Sequence, residues 1–333
     1  MNTYGSLFKV TLYGESHQKA IGVVIDGVPP GIKIDESIIQ ADLLKRKAGA
    51  VGTTTRIEED AYEITSGLFN QHTTGSPIHI MIENKDVRSK DYSALKKHPR
   101  PGHADYVAHV KYQGYNDYRG GGRFSGRLTA ALVCAGAIAK QILPFKITHE
   151  LVQVGTLTNL EKLDEYLEKI AEEGDSIGGI IQLKTSPLPM GLGEPFFQKL
   201  DAEVAKILFS IPAVKGVDIG TGFSGITLKG SEFNDPILDA SGKTKSNHSG
   251  GVSGGLSNGN PLKIRVMVKP TSSIKKAQET YHKEENQTKT LEIKGRHDVC
   301  IARRIGIVLE NALALALVDL YLLNQTYKTF SKE

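Results

Sequence analysis

The chain has 333 residues, of which 39% are apolar, and this suits one large or two ordinary globular domains with a buried core. Its 41 basic and 37 acidic residues are spread along the whole length, which argues against an arm for nucleic acid or membrane binding. Two cysteines, Cys134 and Cys300, are too few for a disulfide framework or a zinc cluster, and the N-terminus lacks the regions of a signal peptide. We therefore expect a cytoplasmic protein that binds no metal.

Strands and helices alternate along the chain in short segments. Alternation of apolar and polar residues predicts strands within residues 7–14, 21–28, 61–67, 77–83, 146–155, 178–184, 217–228 and 262–268. Apolar residues at helical spacing predict helices over residues 36–47, 127–142, 161–172, 197–209 and 302–328. Several strands are separated only by a turn, which favours antiparallel hairpins and an α+β fold over a doubly wound parallel sheet.

Two of the predicted helices differ from the others in composition. The helix over 127–142 carries alanines on several faces, so neighbouring elements can approach it closely all round, and we expect it to be central. The segment from Ile305 to Leu323 is the most apolar of the chain, but it contains Glu310, Asn311 and Asp319. Each of these polar groups is costly in lipid, so this segment is predicted to be a buried helix rather than a membrane span.

The stretch DYRGGGRFSGR, residues 117–127, contains four glycines and three arginines immediately before the central helix. Glycines permit positive φ and close backbone approach, while arginines supply forked donors and a helix start presents unpaired N–H groups. A solvated turn is the commoner fate of a single Gly-Arg pair, but the density of both residues here favours a site for a multiply charged anion. Each charge-assisted hydrogen bond would contribute roughly 1.5–3 kcal/mol.

Two common phosphate-binding motifs do not fit this stretch. Gly121 and Gly126 have the spacing of a P-loop, but Arg127 and Leu128 replace its lysine and its magnesium-binding hydroxyl. A dinucleotide fold would require a third glycine where Ser125 stands. The sequence therefore excludes neither an enzyme nor a binding protein, but it argues against a nucleotide kinase.

Three further segments carry candidate site residues. The glycine-rich run over 246–261 resembles a backbone nest, and KPTSSI at 269–274 offers an ammonium group and three hydroxyls to a phosphate. The string GRHDVC at 295–300 precedes the last helix, where a helix cap and a functional site are equally good readings. Among ten histidines, His17 and His103 lie beside glycines in loops and are candidate acid–base groups, whereas most of the others have ordinary polar or alternating surroundings.

Several of these strings together resemble the chorismate synthase family. They are GESHQKAIGVVIDGVPPG, RPGHADYVAHVKYQGYNDYRGGGRFSGR, GGVSGGLSNG, KPTSSI and GRHDVC, in that order, and the likeness extends from Tyr4 to about Leu323. The resemblance implies a sandwich in which long central helices lie between two antiparallel sheets. It also implies a single catalytic domain over residues 1–325, a flexible tail over 326–333 and assembly as a homotetramer.

The resemblance also implies the reaction and the residues that carry it. Members of the family convert 5-enolpyruvylshikimate 3-phosphate to chorismate and phosphate by 1,4-elimination with reduced FMN, in the biosynthesis of aromatic amino acids. The catalytic residues would be His17, His103, Asp298, Ser16 and Ser125. The substrate would contact Arg46, Arg119 and Arg127. The cofactor would contact Arg123, Phe124, Ser125, Pro212, Ala213, Gly254, Lys269, Pro270, Thr271, Ser272, Ser273 and Arg296.

This chain departs from the family pattern at several positions. Gln18 follows the GESH string, Val299 replaces a proline, and the string expected as RRRPG reads KRKAG, with Ala48 in place of the proline. The loop after this string is also one residue shorter than expected and lacks an arginine of the proposed NADPH contact. NADPH is therefore expected to bind only weakly or indirectly, which leaves a role for a separate flavin reductase. Two alternatives stay open at this point: a non-catalytic protein that binds polyanions, and a family member that has lost turnover.

Overall fold

The computed structural model describes residues 1–54, 60–85, 94–293, 295 and 297–328. Its α-helices are α1 (Glu36–Arg46), α2 (Asp105–Lys111), α3 (Thr129–Ile142), α4 (Leu163–Glu172), α5 (Leu200–Phe209), α6 (Gly230–Phe233) and α7 (Ala302–Lys328). Its strands are β1 (Thr3–Tyr4), β2 (Lys9–Gly14), β3 (Ala20–Asp26), β4 (Tyr62–Ser66), β5 (Leu68–Phe69), β6 (His72–Thr73), β7 (Ile78–Glu83), β8 (Ile147–Val154), β9 (Gly179–Pro187), β10 (Val214–Ile219), β11 (Val252–Ser253), β12 (Leu256–Ser257), β13 (Pro261–Val268), β14 (Gln278–His282) and β15 (Gln287–Leu291).

The first sheet has five antiparallel strands in the order β1-β2-β3-β7-β4. In β3, Val23 pairs with Leu12 of β2 on one side and with Ile80 of β7 on the other. Every second residue is fully buried in both β3 (Ile21, Val23, Ile25) and β7 (Ile78, Ile80, Ile82). This pattern is expected of a sheet that covers a core with one face.

The second sheet has four antiparallel strands in the order β10-β13-β9-β8. In β13, Leu262, Ile264 and Val266 are buried, whereas the intervening Lys263 and Arg265 are exposed. This alternation places one face of the strand against the core and the other toward solvent.

Helices α3 and α7 pack against each other between the two sheets. Helix α3 also contacts β2, β3 and β7 of the first sheet, and α7 contacts β8 and β9 of the second. A Cβ at Gly136 of α3 would lie only 2.4–2.7 Å from atoms of Asn311 in α7, so a residue without a side chain is needed where the two helices cross. The predicted α+β sandwich with central helices is therefore the fold that the structure shows.

By length and composition, helix α7 could span a membrane. However, 89% of its most apolar 18-residue segment is buried inside the protein. Its polar residues have internal partners. Glu310 accepts hydrogen bonds from Lys140 at 2.8 Å and from His149 at 2.6 Å, and Asp319 accepts three backbone N–H groups from residues 6–8. These partners agree with the prediction of a buried core helix.

The structure differs from the sequence-based prediction in three places. Helix α2 and the hairpin of β14 and β15 lie where no helix or strand was predicted. Residues 217–228 form only the end of β10 followed by a 3₁₀ turn, because Gly220 and Gly222 adopt positive φ and end the strand. Helix α7 continues to Lys328, and residues 329–333 of the predicted tail lie outside the described residues.

Candidate active site

A cavity of about 590 Å³ lies where the ends of several elements meet, and its size is typical of small-molecule sites. Its lining comes from stretches far apart in the chain, which lie within residues 46–54, 60, 100–104, 120–127, 209–215, 269–273 and 297–304. The glycine and arginine stretch, the KPTSSI segment and the segment before α7, which were singled out separately in the sequence, therefore contribute to one site.

The three consecutive glycines Gly120, Gly121 and Gly122 all have positive φ, with values of 58°, 79° and 52°. A Cβ at Gly120 would lie 2.4 Å from ring atoms of His17, and a Cβ at Gly121 would lie 3.2 Å from Cε1 of His103. The glycines thus allow the backbone to pass between the two candidate acid–base imidazoles, and no other residue would fit without displacing a ring.

The two histidines differ in their access to the cavity. His103 lines the cavity wall, and its side chain is 20% exposed. His17 is 6% exposed and lies behind Gly120, outside the cavity lining. Ser16 is fully buried beside it, and its hydroxyl oxygen has no hydrogen-bond partner within the described part of the chain. A buried hydroxyl without a partner is rare, which marks Ser16 as unusual beside His17.

Lys269 holds an ammonium group on one wall of the cavity. Its Nζ donates to the carbonyl of Gly102 at 3.1 Å and to Oγ of Ser272 at 2.6 Å, and no carboxylate in the described residues forms an ion pair with it. Burial lowers the pKa of Lys269, and the nearby positive charge of Lys215 lowers it further. Two cations placed close together in this way favour an anionic ligand.

The backbone around this ammonium group is strained. Ala213 has a φ of 74°, which is uncommon for a residue with a side chain, and its carbonyl accepts the N–H of Lys269 at 2.9 Å. This bond ties the Pro212–Ala213 segment to the KPTSSI segment. Thr271 also lines the cavity, and its buried hydroxyl has no partner among the described residues.

Arg123 and Phe124 directly follow the glycine turn, and both line the cavity. The guanidinium of Arg123 donates to the carbonyls of Gly14 at 3.2 Å and Leu12 at 2.6 Å, and burial lowers its pKa. The ring of Phe124 is 37% exposed and therefore offers an apolar surface to a planar ligand. Ser125, which follows, accepts the backbone N–H of Arg127 at 3.3 Å and also lines the cavity.

Arg46 and Arg127 form a second charged wall of the cavity, and both are buried against the carboxylate of Asp60. Nη1 of Arg46 donates to one carboxylate oxygen at 2.9 Å, and Nη1 of Arg127 contacts the other. Asp60 itself has a φ of 50°. This carboxylate, which the sequence analysis did not identify, orients both guanidinium groups at the cavity.

Arg119 and Gly254 do not line this cavity. Arg119 forms a two-point pair with Asp117, at 2.8 Å and 2.6 Å, and Gln18 donates to the same carboxylate at 3.0 Å. The long amide at position 18, unusual for the family pattern, therefore supports the Asp117–Arg119 pair. Gly254 lies in the turn between β11 and β12.

Asp298 lines the cavity at the approach to α7, and the whole residue is 8% exposed. Nε and Nη2 of Arg304 donate to its two oxygens at 3.0 Å and 2.8 Å, and the N–H of Thr54 donates to it at 2.9 Å. The carboxylate is thus held in one orientation. Arg296, which was predicted to contact the cofactor, lies outside the described residues.

Several residues of the site were missed in the sequence. Arg100 and Lys215 line the cavity, Asp105 pairs with His103, and Asp60 and Arg304 orient other site residues. Arg100 and Asp105 belong to the RPGHAD string, of which only the histidine was predicted to be a site residue. Asp60 and Arg304 stand in no motif, and their pairing emerges only from the fold.

An antiparallel sandwich whose loops converge on a cavity rich in arginine, lysine and imidazole groups defines an enzyme for anionic small molecules. The family model for chorismate synthase matches residues 8–322 of this chain. The chorismate synthase of Chitinophaga pinensis is 52% identical over 327 residues, which are 98% of either chain, and that of Dehalococcoides mccartyi is 44% identical over 96% of either chain. A solved structure, "Crystal Structure of Chorismate Synthase", matches with a TM-score of 0.74 and 25% identity over 96% of this chain and 93% of its own.

The chain therefore belongs to the chorismate synthase family, as the resemblance of its motifs predicted. It is a lyase of chorismate formation in aromatic biosynthesis, and membership of the family implies a flavin cofactor.

Proposed function

We propose that this enzyme converts 5-enolpyruvylshikimate 3-phosphate to chorismate and phosphate by 1,4-elimination, with reduced FMN as its cofactor. The observation that supports this most is the convergence of Arg46, Arg127 and Lys269 on the one cavity that His103 also lines. Such a concentration of cationic groups suits two phosphorylated molecules held side by side.

The Lys269 wall fits the phosphate and ring of a flavin mononucleotide. The ammonium of Lys269 has no carboxylate partner within the described residues, and the buried hydroxyl of Thr271 is unpartnered there. Phe124 and Pro212 add apolar surface for a planar ring. When bound, reduced FMN would supply electron density to a reaction in which no net oxidation occurs. In this proposal, Lys269, Thr271 and Ser272 would hold the phosphate.

The Arg46–Arg127 wall fits the anionic groups of the substrate. Both guanidinium groups are oriented by Asp60 and line the cavity, so a carboxylate or the phosphate ester of the substrate would bind them in exchange for part of their existing pairing. Arg119 lies outside the lining and is held by Asp117. We assign it a substrate contact that forms only after that pair opens.

The elimination breaks the bond between carbon and the phosphate oxygen, and its electron pair leaves with the phosphate. One ring C–H bond also breaks; its electron pair joins the new conjugated double bonds of the ring, so no net oxidation occurs. We assign proton transfer near the departing phosphate to His17, and proton transfer near the flavin to His103. Asp298 would accept the ring proton, and the two-point pair with Arg304 would keep its carboxylate in position. Ser16 and Ser125 would donate hydrogen bonds within the site.

Three further features belong to the same proposal. Lys47 and Ala48, which depart from the family pattern, line the cavity, and we propose that NADPH binds here only weakly and that a separate reductase reduces the flavin. We also propose that the enzyme assembles as a homotetramer in the cytoplasm. Exposed apolar side chains support contacts between copies of the chain; they include Phe196, Phe197, Phe223 and Ile226. One hydrophobic cluster joins both sheets, which supports a single catalytic domain over residues 1–325.

An anaerobic assay tests the proposed reaction. Photoreduced FMN and 5-enolpyruvylshikimate 3-phosphate are supplied, and chorismate absorbance and phosphate release are followed together. We expect equal amounts of both products, and none when the flavin stays oxidised. Binding of both ligands without either product would refute the proposal. Oxidation of NADPH by the enzyme with FMN tests the reductase question separately, and we expect a negligible rate.

Two variants test the acid–base assignments within that assay. His17→Ala and His103→Ala should each lower kcat at least about a hundredfold, because a positioned general acid or base contributes about 10²- to 10⁴-fold. His72→Ala, which changes an exposed histidine of β6, serves as the matched control and should retain the wild-type rate. Near-normal rates in either site variant would remove that assignment.

A further inference from the structure

The carboxylate of Asp105 is in direct contact with the imidazole of His103. Oδ1 of Asp105 lies 2.6 Å from Nδ1 of His103, and the Asp105 side chain is only 8% exposed. Asp105 begins helix α2, two residues beyond the histidine, so the turn before the helix places the two groups side by side.

Asp105 is kept ionised by its surroundings. Burial alone raises its pKa, but hydrogen bonds from Arg100 and His103 lower it well below the usual range. Nε of Arg100 donates to Oδ2 at 2.7 Å, and its Nη2 donates to Oδ1 at 2.8 Å. An ionised carboxylate only accepts hydrogen bonds, so Nδ1 of His103 must donate its proton to Asp105. Nε2 is then the ring nitrogen left for the cavity.

Arg100 holds the imidazole ring in a second way. Its Nη2 lies 3.0 Å from Nδ1 and 3.3 Å from Nε2 of His103. The two ring nitrogens flank a single carbon, so an atom at this distance from both must lie over the ring face rather than in its plane. Nη1 of Arg100 also donates to Oγ of Ser273 at 3.1 Å, which joins this group to the Lys269–Ser273 segment.

The charged groups around His103 come from three parts of the chain. Arg100 and Asp105 lie on its own segment, and Lys269 reaches the adjacent Gly102 from the end of β13. Lys283, which follows β14, acts electrostatically on Asp105. In this setting Asp105 is the only carboxylate in the described residues that forms an ion pair with His103.

We propose that Asp105 is a positioning residue for His103: it fixes the tautomer with Nδ1 protonated and directs Nε2 to the cavity, while Arg100 fixes the ring plane. The catalytic consequence rests on the proposed function, in which His103 handles a proton beside the flavin. Asp105 touches neither ligand in this scheme and acts only through the imidazole.

The tautomer can be measured without any turnover. In the wild-type protein carrying ¹⁵N-histidine, with His103→Gln used to assign its signals, neutral His103 should show a protonated Nδ1 and an unprotonated Nε2. The opposite tautomer in the folded wild-type enzyme would overturn the inference. This outcome does not depend on whether an Asp105 variant folds.

The kinetic test uses Asp105→Asn, with Asp105→Glu as the conservative variant and Asp175→Asn as the control at an exposed ion pair. In other His–Asp pairs the loss of the orienting carboxylate lowers turnover by about 10⁴-fold. We expect Asp105→Asn to lower kcat at least about a hundredfold with little change in substrate KM, to shift the pH profile, and to change the His103 tautomer. Asp105→Glu should recover part of the rate.

The possible results separate the two proposals. An Asp105→Asn enzyme with wild-type kcat, pH profile and tautomer would overturn the positioning role even if the wild type forms chorismate. A changed tautomer in Asp105→Asn, together with a wild type that forms no chorismate, would support the positioning role and refute the proposed function.

Discussion

The two charged walls of the cavity hold their positive groups in different ways. Arg46 and Arg127 are buried against the carboxylate of Asp60, whereas the ammonium of Lys269 is held by the carbonyl of Gly102 and a hydroxyl, with no carboxylate partner in the described residues. The first wall is ordered before any ligand arrives, because its ion pairs already fix the side chains. The second wall has charge in excess and gains most from an anion.

A cationic residue in a motif therefore does not by itself show how strongly it contributes to anion binding. A guanidinium that is already paired exchanges one carboxylate for another, so the gain on ligand binding is modest. A half-buried ammonium group without a carboxylate partner has lost part of its hydration, and an anionic ligand replaces the interactions that it lost. Stability should therefore depend mainly on the arginine wall, and flavin affinity mainly on the lysine wall.

The largest effect should follow from Asp60→Ala, because it leaves two buried guanidinium groups without their shared carboxylate. Removing one partner of a buried ion pair typically costs about 3–5 kcal/mol. We expect the free energy of unfolding, measured with urea, to fall by that amount. Asp175→Ala, at an exposed pair with Lys276, should cost less than about 1 kcal/mol, and equal losses in the two variants would contradict the comparison.

The next effect concerns the lysine wall. Lys269→Ala should weaken FMN binding by about ten- to a hundredfold, because one charge-assisted hydrogen bond to a phosphate contributes roughly 1.5–3 kcal/mol. Quenching of flavin fluorescence measures this affinity. Lys169→Ala, on the exposed surface of α4, is the control. Unchanged FMN affinity in Lys269→Ala, or an equal loss in the control, would show that the flavin phosphate does not bind to this wall.

The sandwich itself could largely be predicted from the sequence, whereas parts of the site could not. Apolar alternation predicted most strands of both main sheets, because each sheet has one buried face, but it missed β1 and all of β10 except its end. The hairpin of β14 and β15 was not predicted, because its residues are mostly polar on both faces and show no apolar alternation. Lys269 belongs to a recognisable string, but Asp60 belongs to none, and its position between two arginines depends on contacts across the fold.

A smaller effect concerns the pH dependence of stability. The pKa of Asp105 is lower in the folded protein than its ordinary value of about 3.9, so its ion pairs stabilise the fold above that pH and are lost as the pH falls toward the folded pKa. Asp105→Asn should therefore be less stable than wild type at pH 7, by on the order of 1–3 kcal/mol. The difference should narrow below about pH 4. A constant difference from pH 7 to pH 3, measured by urea unfolding, would be inconsistent with this ion pair.

The smallest effect is expected at the cysteines. Cys134 and Cys300 are both buried and free, and burial raises the pKa of the Cys134 thiol to about 12 and that of Cys300 as well. Since the thiolate is the reactive form, neither should react with a disulfide reagent at pH 8 in the native protein. Two thiols should appear after unfolding in urea, and rapid labelling of the native protein would contradict the packing of α3 and the segment before α7.

A crystal structure of the enzyme with FMN and 5-enolpyruvylshikimate 3-phosphate tests most directly whether one cavity holds both anions on separate walls. We expect the flavin phosphate within hydrogen-bonding distance of Lys269 and Thr271, with an anionic group of the substrate against Arg46 or Arg127. Either ligand bound outside this cavity, or both phosphates bound to the same wall, would contradict the account.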